Sequence, residues 1–211
     1  MLRLTATALA LLTFIGCGRT LTASDWKPLF NGKDLSGWEP VGDPSVWQVK
    51  DGAIHCTGKG HGWLSTKDEY ANFELQLEYK LPEGGNSGVF LRSPRTGDAS
   101  HTGMEIQVLD DDAPHHKNIL PYQHSGSLYG IQPANPRLGG NPGHWQRYHI
   151  ICDGRRVKVI QNGTTIVDVD LDKKKGIASE FVGYKRPQGY IGLQDHASEV
   201  DFRNIRIRQL P

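Results

Sequence analysis

An all-β sandwich of antiparallel strands, or jelly roll, is the fold class this sequence predicts, and three observations carry the prediction. Apolar residues recur in short runs with period two, the signature of strands that bury one face. Tight-turn dipeptides separate the runs, among them Asp51-Gly52, Asp153-Gly154 and Asn162-Gly163, which are strong hairpin signals. Glycine and proline are plentiful, at 25 and 12 residues, and no long run has the 3.6 period of a helix.

The first segment stands apart. Arg3 supplies a short positive region, and Leu4 to Ile15 is apolar but short for a membrane span. The segment ends in Phe14-Ile15-Gly16-Cys17. We read residues 1–23 as a signal peptide of the lipoprotein type, with Cys17 as the lipidated residue, or as an ordinary signal cut near Ala23. Either route predicts an exported protein in the periplasm or at the cell surface, and on the lipoprotein route it touches the membrane only through the lipid anchor. The remaining 24–211 is expected to form one domain.

Asp25 to Pro40 reads as a lead-in with turns at Asn31-Gly32 and Ser36-Gly37, and Trp26, Phe30 and Trp38 as packing anchors. Val46 to Cys56 is a hairpin, and Trp63 to Thr66 a short strand. Phe73 to Leu81 is the cleanest strand, with Phe73, Leu75, Leu77, Tyr79 and Leu81 on one face and a polar face expected to be solvated. Gly85 to Arg92 follows, in which Gly88 permits close approach of a ligand or backbone. Arg92 shares the parity of Phe90 and either crosses a binding face or sits in an ion pair. Trp145 to Asp153, Arg155 to Gln161 and Thr164 to Asp170 form a meander, and Gly189 to Gln194 and Val200 to Arg208 are the last strands. Cys56 and Cys152 lie in apolar surroundings and are expected as packed free thiols.

The stretch Gly103 to Asp110 is the candidate centre of the site. Met104, Ile106 and Val108 alternate with Glu105 and Gln107, so the last two leave one face of a strand about 7 Å apart. Asp110 joins them only if a β-bulge re-aims it. Acceptor-rich side chains on one open face suit a polyhydroxylated ligand, and an ordinary solvated strand face is the competing reading. The aperiodic region Asp110 to His144 is long enough to be a functional loop, and would bring His124 and Tyr129 over Glu105. A formal net charge of +1 gives no electrostatic case for nucleic acid.

FNGKDLSGW, GNSGVFLR, EIQVLD, GSLYG, the Asn162-Gly163 turn and GYIGLQDH…VDFRNIRI, taken together, resemble the 3-keto-disaccharide hydrolase domain family. The resemblance runs from about Trp26 to Leu210. It implies a concanavalin A-like lectin/glucanase sandwich acting on 3-keto-glycosides. A C3 ketone acidifies the hydrogen on C2, so a base can remove it and the enolate can expel the group at C1. Such chemistry needs a base and enolate stabilisers. On this resemblance His124 is the candidate base, with His196 or Glu105 as substitutes. Arg92 and Tyr129 are candidate stabilisers, and Asn86, Gln107, Asp110 and Gln194 would position hydroxyls.

No cofactor is assigned with certainty. A divalent metal would suit enolate stabilisation, held by Glu105, His124 and His196 or by Asp111, His115 and His116. Two further readings stand beside this one. A non-catalytic carbohydrate-binding module would need no base. A laminarinase-type retaining glycosidase would use the E-x-D-x-x-E positions, here filled by Glu105, Gln107 and Asp110.

Overall fold

The computed structural model describes residues 25–211, so the expected signal segment and Cys17 lie outside the described residues. Two antiparallel sheets face each other across one core, as in a concanavalin A-like jelly roll. The larger sheet contains β1 (Lys27–Pro28), β3 (Trp47–Lys50), β4 (Ala53–Cys56), β6 (Phe73–Lys80), β9 (Gln146–Asp153), β10 (Arg156–Gln161), β11 (Thr164–Asp170) and β13 (Val200–Gln209). Its order is β11-β10-β9-β6-β13-β4-β3, with β1 paired to β13. The smaller sheet has the order β2-β5-β12-β7-β8, where β2 is Trp38–Gly42, β5 His61–Tyr70, β7 Asn86–Ser93, β8 Met104–Leu109 and β12 Gly189–His196.

Period-two patterning explains the layers. Phe73, Leu75, Leu77 and Tyr79 of β6 turn inward against Val89 and Leu91 of β7 and Met104, Ile106 and Val108 of β8. The hairpins close at Asp51, Asn162 and their following glycines, all with positive φ. Phe30 and Trp38 seal the core, and Cys56 and Cys152 are buried free thiols.

Three local expectations change. Trp26 lies outside the core, with its ring about 5.0 Å from the guanidinium groups of Arg206 and Arg208. The polar face of β6 is an ion-pair ladder instead of plain solvated surface. Glu74 is buried and pairs with His149 at 2.7 Å and Arg208 at 2.5 Å, and Glu78 pairs with Arg203 at 2.8 Å and Arg147 at 3.0 Å. A single helical turn, α1 (Ala99–Thr102), is capped by Asp98 immediately before β8 and has no counterpart in the sequence expectation.

Candidate active site

The site is built on the outer face of the smaller sheet, where β12, β7 and β8 run side by side. Register puts Leu109, Gln107 and Glu105 opposite Asn86, Gly88 and Phe90, and His196 opposite His61 on the neighbouring β5. Glu105 and Gln107 therefore leave the same face, as their spacing requires. That face is covered, leaving Glu105 only 2% exposed at the floor of a cavity of about 430 Å³. Its lining includes six of the residues expected from sequence: Asn86, Glu105, Gln107, Tyr129, Gln194 and His196.

Gly88 makes room for the carboxyl group. A Cβ at that position would stand 2.0 Å from Glu105 Oε1, so any side chain would displace it. The walls come from chain segments that the strand pattern does not predict. Segment 126–129 runs along the edge of β8, with Gly126 and Tyr129 amides donating to the carbonyls of Gln107 (2.8 Å) and Glu105 (2.9 Å). Below it, Tyr148 Oη donates to the Gln107 carbonyl at 2.8 Å.

Three histidines reach the cavity: His101 on α1, His116 on a 3₁₀ turn (Pro114–His116) and His196 at the end of β12. Their hydrogen bonds assign the protons. His101 Nδ1 lies 2.9 Å from Asp98 Oδ2, a carboxylate that only accepts, so Nδ1 carries the hydrogen and Nε2 keeps a lone pair. His116 Nδ1 donates to the Asp110 carbonyl at 2.7 Å and likewise leaves Nε2 as an acceptor. His196 is opposite in sense: the Asn86 amide donates to its Nδ1 at 3.2 Å, which makes Nε2–H a donor. Gln107 in turn donates to Asn86 Oδ1 at 3.1 Å, fixing the orientation of that amide.

Two carboxyl groups share the cavity in different states. Burial, with the nearby charge of Asp98, pushes the Glu105 carboxyl up to about 8, so at neutral pH it is a carboxylic acid. Burial would raise Asp98 as well, but hydrogen bonds from Ser100 and His101 outweigh it and hold Asp98 below the usual carboxylate range. One ionised and one protonated carboxyl, set apart by environment, is the arrangement that divides base and acid duties.

Three predicted site residues are elsewhere. Arg92 does not cross the binding face: a register shift between Tyr190 and Gly192 makes Leu91 and Arg92 together oppose Ile191, and Arg92 has φ of 50°. This bulge sends its guanidinium into the interior, where it donates to the carbonyls of Ala71 and Gly154 at 2.8 Å each. The bulge expected beside Asp110 is not there, since β7 and β8 pair without interruption from Leu109 to Met104. Asp110 turns away, accepting from the amides of Gly84 (2.7 Å) and Asp112 (3.1 Å). It is therefore neither a hydroxyl ligand nor the second carboxylate of a laminarinase-type pair.

His124 is the third correction. It is 9% exposed and absent from the cavity lining; Nδ1 faces Asp111 Oδ1 at 3.1 Å and Nε2 accepts from Arg137 at 2.7 Å. Asp111 also accepts from the Ser125 amide at 3.0 Å, so His124 staples the covering loop instead of serving as its open base. Neither metal set assembles, because His124 is turned away and His115 opens on a different cleft, beside Glu83 and Asp112. Among the described residues no three His, Cys, Asp or Glu side chains converge as metal ligands.

Strand periodicity alone does not point to Asp98, Ser100 or His101, and His116 enters the sequence reading only as a metal ligand. The legible signal was Asp98-x-Ser100, an N-cap pattern directly ahead of the polar strand β8.

Known proteins share this architecture. A 3-keto-disaccharide hydrolase of Bacteroides thetaiotaomicron is 30% identical over 89% of this chain and 79% of its own length. The crystal structure of a candidate glycosyl hydrolase from Parabacteroides distasonis is 34% identical, with a TM-score of 0.76 over 88% of this chain and 99% of that one. The carbohydrate-binding module CBM66 of Bacillus subtilis, 11% identical with a TM-score of 0.55 over 82% of this chain and 96% of that one, shares the fold alone. A family profile described as the 3-keto-alpha-glucoside-1,2-lyase-like domain matches residues 25–208, and this chain belongs to that family.

Proposed function

We propose that this chain cleaves glycosides carrying a ketone at C3, by removing the C2 proton and eliminating the group at C1. Family membership and the name of the Bacteroides relative support the substrate class. The observation that carries the mechanism is the pairing of Glu105, held as a carboxylic acid, with a carboxylate-backed imidazole in one cavity.

His101 takes the role given to His124 from sequence. Its Nε2 accepts the C2 proton, and the Asp98 carboxylate stabilises the imidazolium that forms. The C2–H electron pair forms the enolate, whose oxygen at C3 receives hydrogen bonds from His196 Nε2–H and the Tyr129 hydroxyl. Tyr129 Oη accepts from Gln123 at 3.2 Å, which leaves its own hydrogen to donate. The enolate then expels the C1 oxygen, which takes the proton of Glu105. Water adding to C1, with a proton returned to C2, completes a net hydrolysis, the outcome that the relative's name favours. Gln107, Asn86 and Gln194 position hydroxyls. Export and a lipid anchor at Cys17 belong to the same proposal, supported by the apolar N-terminal segment.

The test incubates purified protein with a 3-keto-disaccharide and follows release of the C1 substituent. Release that is lost in His101→Gln and Glu105→Gln, with deuterium entering C2 in heavy water, supports the mechanism. Binding without release would instead make the domain a carbohydrate-binding module.

A further inference from the structure

We infer that Phe181, on the loop between β11 and β12, is a positioning residue that holds the His101 ring in its catalytic orientation. The inference rests on the assignment of His101 as the base. That loop reads from sequence as a polar connection rich in lysine, yet one of its residues is buried against the site: Phe181 is 6% exposed.

The contact is face to face. The Phe181 and His101 rings lie 4.7 Å apart between centroids at an interplanar angle of 18°. Such a contact is needed because the rest of the support for His101 is slight. Its helix is one turn of four residues, too short to be rigid alone. Asp98 at 2.9 Å and Ser100 Oγ at 3.0 Å both meet Nδ1, so the polar contacts grip one end of the ring and leave the Nε2 end free to swing. A flat aromatic face laid along the imidazole removes that swing and keeps Nε2 aimed into the cavity. The same ring meets Tyr129 at 5.8 Å and 69°, so one side chain registers the base against the hydroxyl donor.

Two glycines let the loop come this close. At Gly130, with φ of 70°, a Cβ would stand 2.1 Å from Phe181 Cζ. At Gly183 a Cβ would stand 1.9 Å from the carbonyl oxygen of Gly103, the residue that ends α1. The approach therefore has two independent backbone contacts behind it.

The experiment compares Phe181→Leu with Gly130→Ala, whose added methyl group would collide with the ring and displace it. Each is expected to lower kcat about tenfold to a hundredfold with KM within about twofold, the pattern of a misaligned catalytic group. The double variant should be no slower than the worse single one, because both break one contact. In NMR spectra the His101 ring protons, displaced upfield by the stacked ring, should return to ordinary positions in either variant. Phe181→Met replaces the leucine variant if that one does not fold. Unchanged kcat, a loss confined to KM, or undisplaced His101 protons in the unmodified protein would overturn the inference. Full activity in His101→Gln would overturn the assignment of the base instead, so the two failures are distinguishable.

Discussion

Replacing Glu105 by glutamine should make the protein more stable while abolishing its chemistry. Burial, with the nearby Asp98 charge, raises the Glu105 carboxyl from its ordinary 4.5 to about 8. An acid raised in this way keeps a proton that the unfolded chain has already lost. The folded state is therefore penalised from about pH 4.5 upward; the penalty grows to about pH 8 and is constant above it. Each pH unit in that window is worth about 1.36 kcal/mol, which gives roughly 3 kcal/mol at pH 7 and roughly 5 kcal/mol above pH 8. The neutral amide of glutamine escapes this penalty. Urea unfolding of the parent and Glu105→Gln at pH 5, 7 and 8.5 should show nearly equal stability at the lowest pH and a widening advantage for the variant. A gap that is independent of pH, or a variant that is weaker throughout, would refute the buried, protonated Glu105 on which the acid role depends.

The same carboxyl sets a limit on catalysis, since a proton donor at about 8 predicts release that declines as pH rises through 8, measured as kcat/KM against pH. Gly88→Ala puts a methyl group 2.0 Å from Glu105 Oε1. It should cost about 1–3 kcal/mol in thermal unfolding and about a hundredfold in kcat as the carboxyl is displaced. Arg92→Lys leaves the carbonyls of Ala71 and Gly154 competing for one ammonium in a site 1% exposed. A loss of about 1–3 kcal/mol in urea unfolding, with KM unchanged, is expected of a structural pin and not of a substrate ligand. Among the described residues no lysine or arginine lines the cavity, while Asp98 carries a negative charge there. A 3-keto-uronide should therefore show kcat/KM at least tenfold below the matching neutral glycoside, read in competition.

Strand content was legible because it is written locally. A period of two names the inward face of β6 and of β8, and Asp51-Gly52 and Asn162-Gly163 name turns, whatever surrounds them. The paired projection of Glu105 and Gln107 follows from the same rule, and so does the choice of β8 as the site's floor. The failures share a cause. Arg92 was placed by parity, and parity breaks at a bulge produced by pairing with β12, a strand about a hundred residues away. Asp110 depended on a bulge, and β7 pairs with β8 too regularly to make one.

The sequence by itself determined that this chain folds as a two-layer β-sandwich and that one acidic strand displays Glu105 and Gln107 together. Only the tertiary structure decided which histidines meet them. A side chain's exit from a strand depends on its own backbone, but the loop that covers it depends on distant anchors. Here Tyr148 Oη meets Ser125 Oγ at 3.3 Å, and Asp111 bonds to the Ser125 amide and to His124; these contacts tie the covering loop down and turn His124 away. His101 enters from the other side through α1 and the Phe181 loop. Local periodicity contains none of those long-range contacts, so which histidines reach the cavity was decided by packing and hydrogen bonding across the chain.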